Sequence, residues 1–254
     1  MAGFNTEYID VVILCGGMGT RLRTVVDDKP KPMAEIDKRP FIDILIGYVS
    51  AFGFQRFILC AGYKAESIQE YYKSKKYGVE ILISKEQELL GTGGAVKNAR
   101  FLIGSNPFLV LNGDSFLDVD LCEFVEFHLG KKALLSIALI NTRDAKSYGS
   151  IEIDSSGRIV EFCEKKEESR ESLINAGIYL FNREVLSLMP GGRKFSLEYD
   201  FFPKIVNKEI YGYLTDGIFI DIGTPERYTK AKQLLKDFST IKIPNKKVAY
   251  GGKS

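Results

Sequence analysis

The chain has few residues of the kinds on which many enzyme classes depend. Its 254 residues include one histidine, His128, and four cysteines, none of them in a Cys-x-x-Cys pair. One histidine with no partner spacing around it does not build a Ser/His/Asp or Cys/His catalytic group. We expect His128 at the surface or at a satisfied helix end. The cysteines lie mostly beside apolar runs, which predicts reduced core thiols and no structural zinc site.

Strong charge and long apolar runs are also missing. The formal net charge of +2 gives no field that would predict nucleic acid or a membrane as a partner. The N-terminus has no cationic segment followed by an apolar one, and no apolar run approaches membrane-spanning length. With 45% hydrophobic residues the chain can bury a sizeable core. These features predict a cytoplasmic protein.

Strand and helix patterns alternate through the first half of the chain. Apolar runs predict strands at 10–15, 56–61, 79–83 and 107–112, and helical spacing predicts helices at 41–54, 65–72 and 91–102. Alternation of this kind predicts an α/β fold with a Rossmann-like, doubly wound, mostly parallel sheet and right-handed crossovers. In such sheets ligands bind outside the carboxyl ends of the strands.

The second half has a different pattern, which makes the predicted sheet a mixed one. Two alternating segments flank Ser155-Ser156-Gly157 and predict a hairpin. No internal repeat or linker divides the chain. We therefore predict one domain over residues 1–241, with halves at about 9–130 and 131–238, and a disordered tail at 242–254.

The most informative stretch is 14–33, where an apolar strand ends in Gly16-Gly17-Met18-Gly19-Thr20-Arg21. Glycines allow backbone N–H groups to approach an anion closely, and Arg21 offers a planar donor fork. Lys31, between two prolines, adds a charge on a stiffened segment. The spacing matches neither the Walker loop nor the dinucleotide fingerprint. It predicts a phosphate-binding loop, with a plain turn after a first strand as the alternative.

Two isolated carboxylates follow apolar runs. Asp114 comes after the strand at 107–112, and Asp221 lies inside the run 219–222. Each alone could cap a helix or a turn. Together with a phosphate loop they predict a Mg²⁺ site, because this ion takes one or two carboxylates and completes its shell with substrate phosphate oxygens.

The motif GGMGTRL followed by PKPM resembles the signature of the sugar-nucleotide pyrophosphorylases, which are sugar-1-phosphate nucleotidyltransferases. The resemblance covers about residues 9–238. Residues 23–28 make the chain most similar to the branch of guanylyltransferases that act on a manno-heptose 1-phosphate. The resemblance implies the nucleotide-diphospho-sugar transferase fold, with the nucleotide in the first half and the sugar in the second. Many members carry a C-terminal β-helix, which we do not expect here.

The resemblance also implies a reaction and its ligands. A sugar 1-phosphate would attack the α-phosphorus of GTP with Mg²⁺ as cofactor, giving a GDP-heptose for surface polysaccharide synthesis and pyrophosphate. Because the nucleophile is a phosphate that is already ionised, no general base is needed. A homodimer is an open expectation. No nucleic acid or membrane partner is implied.

Individual residues match the motifs of this family, and the resemblance assigns roles to them. The implied catalytic groups are Arg21, Lys31, Asp114, Lys165 and Asp221, of which Asp114 and Asp221 would hold the metal. The implied nucleotide contacts are Leu14, Gly16, Gly17, Gly19, Thr20, Glu86, Gly91 and Thr92. The implied sugar contacts are Gly149, Glu164, Lys165, Asn175 and Gly177. For the base edge the sequence leaves two candidates open, because either Glu86 or Glu88 could accept hydrogen bonds from guanine.

Three other functions stay open from the sequence. The first is the same chemistry on mannose or glucose 1-phosphate, or with another nucleotide. The second is a regulatory protein that binds a sugar nucleotide without catalysis, although the catalytic set is intact. The third is a glycosyltransferase that would use Asp118-Val119-Asp120 as a metal motif, although we expect these residues to cap the following helix.

Overall fold

The computed structural model describes residues 5–22, 25–26, 29–73, 78–142, 148–163 and 171–235. The strands in this part of the chain are β1 (Asp10–Leu14), β2 (Glu35–Ile36), β3 (Arg39–Pro40), β4 (Arg56–Ala61), β5 (Glu80–Lys85), β6 (Phe108–Asn112), β7 (Ser115–Leu117), β8 (Leu135–Thr142), β9 (Ser150–Ile153), β10 (Ile159–Cys163), β11 (Ser172–Phe181), β12 (Ile210–Thr215) and β13 (Phe219–Asp221). The α-helices are α1 (Phe41–Ala51), α2 (Ala65–Lys73), α3 (Gly91–Asn98), α4 (Leu121–Lys131), α5 (Val185–Leu188), α6 (Phe202–Ile205) and α7 (Pro225–Leu234). A π-helical turn, Leu197–Phe201, precedes α6.

One large mixed sheet runs through the molecule. Its strand order is β10-β9-β11-β6-β1-β4-β5, with β8 paired to β11 and β12 paired to β8. The strands β6, β1, β4 and β5 are parallel, whereas β11 runs antiparallel to β6. The predicted fold class, a mostly parallel mixed sheet, is confirmed. Strands from both predicted halves share this sheet, since β6 belongs to the first half and β11 to the second.

The central strands are apolar because both of their faces are covered. On β1, Val11 and Ile13 face one hydrophobic cluster and Val12 faces the other, and all three are fully buried. Strands with helices on both faces have near-continuous apolar sequences for this reason. Glycine and polar residues follow the carboxyl ends of β1, β4 and β6, so these ends form a polar edge of the sheet.

Several boundaries differ from the predictions by a few residues. Helix α1 ends at Ala51 instead of residue 54, because Gly53 has a φ of +94° that does not continue a helix. Strand β5 covers Glu80–Lys85 instead of 79–83. Helix α3 stops at Asn98 and tightens into a 3₁₀ turn, Ala99–Phe101. The predicted hairpin is present as β9 and β10.

The four cysteines are free thiols. Cys15, Cys60 and Cys163 are buried and Cys122 is half-buried, as expected for core thiols. Burial raises the pKa of the Cys15 and Cys60 thiols. The predicted tail at 242–254 lies outside the described residues. None of the described helices is long and apolar enough to cross a membrane.

Of the two positions expected for His128, the surface was wrong and the satisfied helix end is confirmed, because His128 lies in the last turn of α4 with both ring nitrogens paired. It lies on the buried face of α4 with 1% of its surface exposed. Its Nδ1 is 2.8 Å from the Ser136 hydroxyl, and its Nε2 is 3.3 Å from Oδ1 of Asn182. Ser136 belongs to β8 and Asn182 directly follows β11. Both are distant from α4 in sequence, so no local pattern predicts these contacts. Burial lowers the pKa of His128 to about 4, and the contact with Asn182 opposes this shift.

The buried imidazole predicts a loss of stability in acid. Because the pKa of His128 is lower in the folded chain than in the unfolded one, protonation favours unfolding. The neutral imidazole contributes fully to the free energy of unfolding above pH 6.5. This contribution is lost as the pH falls towards 4, by up to about 3 kcal/mol. Urea unfolding at pH 7.5, 5.5 and 4.5 should show a smaller pH dependence for His128→Gln than for the wild type. An equal pH dependence of the free energy of unfolding in the two proteins would contradict this effect of His128.

Candidate active site

The loop after β1 lies directly against Lys31. Gly19 has a φ of +59°, and a Cβ at this position would lie 2.9 Å from Cβ of Lys31. The N–H of Leu22, which is fully buried, donates to the carbonyl oxygen of Gly19. Both the backbone conformation and the close contact therefore require glycine at position 19.

A backbone contact holds the end of β6 against the end of β1. Leu14 is paired with Asn112 in the parallel ladder. One residue later the N–H of Gly113 donates to the carbonyl oxygen of Leu14 at 3.0 Å, and a Cβ on Gly113 would lie 2.5 Å from that oxygen. The glycine loop and Asp114 consequently leave the sheet side by side, as the topology predicts.

Lys31 and Asp114 form an ion pair. The Lys31 Nζ lies 2.5 Å from Oδ2 of Asp114. Lys31 begins a 3₁₀ turn, Lys31–Met33, and Pro30 and Pro32 flank it. The Lys31 side chain is only 11% exposed, whereas that of Asp114 is 42% exposed. The lysine is thus held in place, and the carboxylate keeps a face open to a ligand.

Asp221 lies next to Asp114. It ends β13, which pairs with β7 so that Asp221 is opposite Ser115. The N–H of Ile222 donates to the carbonyl oxygen of Asp114 at 3.0 Å. The two predicted metal ligands, more than a hundred positions apart in sequence, are therefore brought together by a short antiparallel ladder.

The Asp221 carboxylate is tightly surrounded. Its Oδ1 accepts from the N–H of Gly223 at 2.8 Å, and its Oδ2 accepts from the Tyr148 hydroxyl and lies 3.1 Å from a guanidinium nitrogen of Arg227. The Arg227 guanidinium also stacks on the Tyr148 ring at 4.8 Å from its centroid. These contacts fix the direction in which the carboxylate points.

Groups of opposite charge meet around Gly223. A Cβ on this residue would lie 2.7 Å from Oδ1 of Asp221, 3.7 Å from Nζ of Lys31 and 3.9 Å from a terminal nitrogen of Arg21. The missing side chain keeps this space open. Two cations and a carboxylate around one space can take a phosphate together with a divalent cation.

The second glycine cluster, at residues 91–94, packs against a segment that is distant in sequence. The N–H groups of Gly93 and Gly94 both donate to the carbonyl oxygen of Phe195. The N–H of Phe195 in turn donates to the carbonyl oxygen of Leu90. A Cβ on Gly91 would lie 2.6 Å from the Phe195 oxygen, and one on Gly93 would overlap the Phe195 ring. The cluster therefore starts α3 and also packs against the chain around Phe195.

Thr92 is engaged by the same segment. Its hydroxyl donates to Oε2 of Glu198 at 2.8 Å and accepts from the N–H of Leu197 at 2.8 Å. We expected this threonine to contact the nucleotide. Its hydroxyl connects α3 to the π-helical turn, Leu197–Phe201, and the nucleotide contact stays a prediction.

Glu86 is a buried carboxylate with one unused oxygen. Oε2 accepts from the N–H of Leu90 at 2.8 Å, and Oε1, in contact with Gly16, has no hydrogen-bond partner among the described residues. The residue is 5% exposed. Burial raises the pKa of Glu86, and the hydrogen bond from Leu90 opposes this. Glu88 is exposed, which leaves Glu86 as the carboxylate that faces the site.

Two cavities open at this edge of the sheet. The first, which we call the loop cavity, measures about 300 Å³, and the predicted residues that line it are Leu14, Gly16, Gly17, Lys31, Glu86, Gly91, Thr92 and Asp114. The second, which we call the strand cavity, measures about 750 Å³, and the predicted residues that line it are Arg21, Lys31, Asp114, Gly149, Asn175, Gly177 and Asp221. Lys31, Asn112 and Asp114 line both, so the cavities meet at these residues.

A few predicted site residues are not brought into these cavities. Gly19 packs against Lys31 and Thr20 is exposed, and neither is among the lining residues. Glu164 and Lys165 lie outside the described residues. Cys163, directly before them, lines the strand cavity.

Comparison with known proteins identifies the family. Residues 10–237 match the sequence profile of the Nucleotidyl transferase family. The chain belongs to this family. The match covers nearly the whole described part of the chain, including every residue that lines either cavity, and it confirms the family that the motifs indicated.

The most informative relatives are guanylyltransferases. The chain is 39% identical over 231 residues to the D-glycero-alpha-D-manno-heptose 1-phosphate guanylyltransferase of Aneurinibacillus thermoaerophilus, covering 91% of this chain and 100% of the relative. It is 34% identical to a mannose-1-phosphate guanylyltransferase of Mycobacterium tuberculosis, covering 89% of this chain and 64% of the relative. It is similar to the crystal structure of HddC from Yersinia pseudotuberculosis complexed with GMP-PN, at 38% identity and a TM-score of 0.80, covering 89% of this chain and 99% of that one.

This nucleotidyl transferase site contains residues that the sequence did not indicate. Arg227 lies in the first turn of α7, shortly after the motif that contains Asp221, and Glu198 follows the Ser196 that caps the π-helical turn. Both line the strand cavity. A cap followed by an acidic residue is usually a local feature of a helix start, so no sequence pattern assigns Glu198 to a site.

The aspartates of the Asp118-Val119-Asp120 motif have structural partners. Asp120 caps α4 by accepting from the N–H groups of Cys122 and Glu123. Asp118 accepts from the hydroxyl of the buried Tyr48 at 3.2 Å. The expected capping function is confirmed for Asp120, and neither aspartate lines the two cavities.

Proposed function

We propose that this nucleotidyl transferase joins D-glycero-α-D-manno-heptose 1-phosphate to GTP, giving GDP-heptose and pyrophosphate for surface polysaccharide synthesis. The observation that carries the proposal is the 39% identity to a heptose 1-phosphate guanylyltransferase along that relative's full length. The two adjoining cavities support it, since one can take a nucleotide and the other a sugar phosphate. We expect the enzyme to act in the cytoplasm, and the homodimer stays a prediction.

The reaction needs alignment more than proton transfer. The attacking group is a phosphate monoester, whose second pKa of about 6 leaves it largely a dianion at neutral pH. Its oxygen attacks the α-phosphorus of GTP and pyrophosphate leaves. The task of the protein is to hold two anions together and to neutralise their charge. In our proposal Arg21 binds the triphosphate and Lys31, at the junction of the cavities, lies beside the α-phosphate.

The carboxylates of Asp114 and Asp221 fit a Mg²⁺ ion. They are hard oxygen ligands, with Asp114 directly before β7 and Asp221 at the end of its partner β13, and Gly223 leaves open the space that Asp221, Lys31 and Arg21 share. When bound there, Mg²⁺ would withdraw charge from the phosphate oxygens and so ease attack on phosphorus. Tyr148 and Arg227 orient Asp221 for this task.

Glu86 is our candidate for recognition of guanine. Guanine presents two donors on one edge, N1–H and the N2 amino group, and the unused Oε1 of Glu86 is a buried acceptor in the loop cavity. The Oε2 atom is held by Leu90, so the carboxylate has a fixed orientation. The glycines at positions 16, 17 and 91 leave room for the nucleotide beside it.

On the sugar side the proposal uses the residues of the strand cavity. Asn175 is held by two hydrogen bonds, from its Nδ2 to the Tyr179 hydroxyl at 2.8 Å and from the Gly177 N–H to its Oδ1 at 2.9 Å. It retains one N–H and one lone pair for a sugar hydroxyl. Gly149 and Gly177 line the same cavity. Lys165 on the sugar phosphate and Glu164 on a hydroxyl stay predictions from the family resemblance.

A substrate panel tests the proposed function directly. Pyrophosphate release would be measured with Mg²⁺ while GTP, CTP, UTP, ATP and dTTP are crossed with heptose, mannose and glucose 1-phosphates. We expect the highest kcat/KM for GTP with the manno-heptose phosphate. A preference for mannose 1-phosphate would keep the chemistry and change the substrate. Binding of GDP-sugars without any turnover would indicate a regulatory protein.

Lys31 should be needed for turnover but not for folding. Replacement of one charged donor at the reacting phosphate is expected to lower kcat by about 100-fold or more. Asp114 is half-exposed, so water can solvate its carboxylate in Lys31→Ala and the Tm should change little. Lys29→Ala removes a surface ion pair with Glu35 and is the matched control. Full activity of Lys31→Ala, or its failure to fold, would contradict the assignment.

Glu86→Gln should relax the preference for guanine. The N–H of Leu90 needs an acceptor, so the glutamine oxygen should remain there and its amino group should face the base. Two donors would then oppose guanine, and we expect the ratio of kcat/KM for GTP over UTP to fall at least about tenfold. The exposed Glu88→Gln is the control. An unchanged ratio in Glu86→Gln would exclude this residue from base recognition.

A further inference from the structure

The strand cavity and the loop cavity meet at a buried acceptor that no role described so far uses. Asn112 ends β6 and lines both cavities. Its Oδ1 is shielded from solvent and has no hydrogen-bond partner within the described part of the chain. An unpaired buried acceptor destabilises a folded chain, so its presence at the junction of two cavities points to a ligand that pairs with it.

The direction of the Asn112 amide is fixed by its neighbour Tyr179. The Tyr179 hydroxyl donates its one proton to Oε1 of Glu198, at 3.2 Å. It can therefore only accept from other groups: Nδ2 of Asn175 donates to it at 2.8 Å, and the side chain of Asn112 is a further partner. Since Nδ2 of Asn112 has to face Tyr179, its Oδ1 has to face away. The hydrogen-bond network thus assigns the two amide atoms.

Glu198 keeps this network in place. It accepts from Thr92 and Ser196 through Oε2, and from Tyr179 through Oε1. Tyr179 is fully buried, and burial with the nearby Glu198 raises the pKa of its hydroxyl well above the ordinary range. The hydroxyl consequently keeps its proton, and the donor direction from Tyr179 to Glu198 does not change near neutral pH.

We propose that Oδ1 of Asn112 accepts a hydrogen bond from a hydroxyl of the sugar 1-phosphate and contributes to the choice of sugar. This inference rests on the proposed function. We assign the contact to the sugar because Asn112 lines the strand cavity together with Gly177 and Asn175, and the test below distinguishes it from a contact with the nucleotide.

The test combines protein variants with deoxy sugars. Wild type, Asn112→Leu and Tyr179→Phe would be assayed at saturating GTP with the sugar 1-phosphate that the wild type turns over and with its monodeoxy analogues. The KM for GTP would be measured separately, with GTP varied at a saturating concentration of the parent sugar. Asn98→Leu is the control, because Asn98 donates to Ser84 and Lys85 outside both cavities. We expect Asn112→Leu to lower kcat/KM for the parent sugar by about tenfold to a hundredfold, with the KM for GTP unchanged.

One monodeoxy analogue should respond differently from the others. For the analogue that lacks the contacting hydroxyl, the kcat/KM values of Asn112→Leu and the wild type should agree within about twofold. For each of the other analogues, Asn112→Leu should lower kcat/KM by the same factor as for the parent sugar. Tyr179→Phe removes the hydroxyl that orients the Asn112 amide. It should therefore reduce the preference for the parent sugar over that analogue, although Asn112 is still present. The Tm of Asn112→Leu should equal or exceed that of the wild type, because the unpaired acceptor is gone.

Four results would overturn the inference. An equal loss for the parent and every analogue would mean a structural role, as would a fall in Tm like that of Asn98→Leu. A loss carried by the KM for GTP would assign the contact to the nucleotide. These outcomes leave the proposed function intact if the wild type is active. A wild type that turns over no sugar 1-phosphate would overturn the proposed function and this inference together.

Discussion

The site depends on the backbone contact between β1 and β6. The N–H of Gly113 donates to the carbonyl oxygen of Leu14, and the missing side chain of Gly113 allows the two strand ends to touch. This contact sets the glycine loop, which follows β1, beside Asp114, which follows β6. Lys31 can then reach Asp114 from its proline-flanked turn. Without this close approach the cations and carboxylates would not face one space.

A second set of contacts connects the two cavities. The segment around Phe195 bonds to the start of α3, and Glu198 connects Thr92 to Tyr179. Tyr179 in turn connects to Asn175 and Asn112. The floor of both cavities is therefore one hydrogen-bonded network, and a change on the sugar side can alter the geometry on the nucleotide side. Buried networks are rigid when each member is satisfied, and in this one Oδ1 of Asn112 still lacks a partner among the described residues.

The sequence predicted the parts of the site that lie in local motifs. The glycine loop and Asp114 come directly after β1 and β6, so their neighbourhood could be inferred from strand order. Lys31 and Asp221 were assigned from their charge and from the family resemblance. Thr92 and Glu198 are 106 positions apart, and no local pattern connects them. For the same reason the sequence left the burial of His128 open, because its partners come from β8 and from Asn182 after β11. The end of α3 at Asn98 depends on a change of hydrogen bonding that propensity does not determine.

The orientation of the Asn112 amide could not be predicted from the sequence either. Its residue type is visible in the motif before Asp114, but which amide atom faces the ligand depends on Tyr179 and Glu198. The identity of the sugar depends on such details, whereas the reaction class depends on the charged groups that the motifs contain. This difference explains why the chemistry could be predicted with fewer alternatives than the substrate.

The central claim is that both phosphates bind together and react directly, without a covalent intermediate on the protein. The stereochemistry at phosphorus tests this most directly. One diastereomer of GTP carrying sulfur on the α-phosphate would be turned over with the sugar 1-phosphate, and the configuration of the product would be determined by ³¹P NMR. We predict inversion, as expected for one in-line displacement. Retention would indicate two displacements through a nucleotidyl-enzyme and would contradict direct attack.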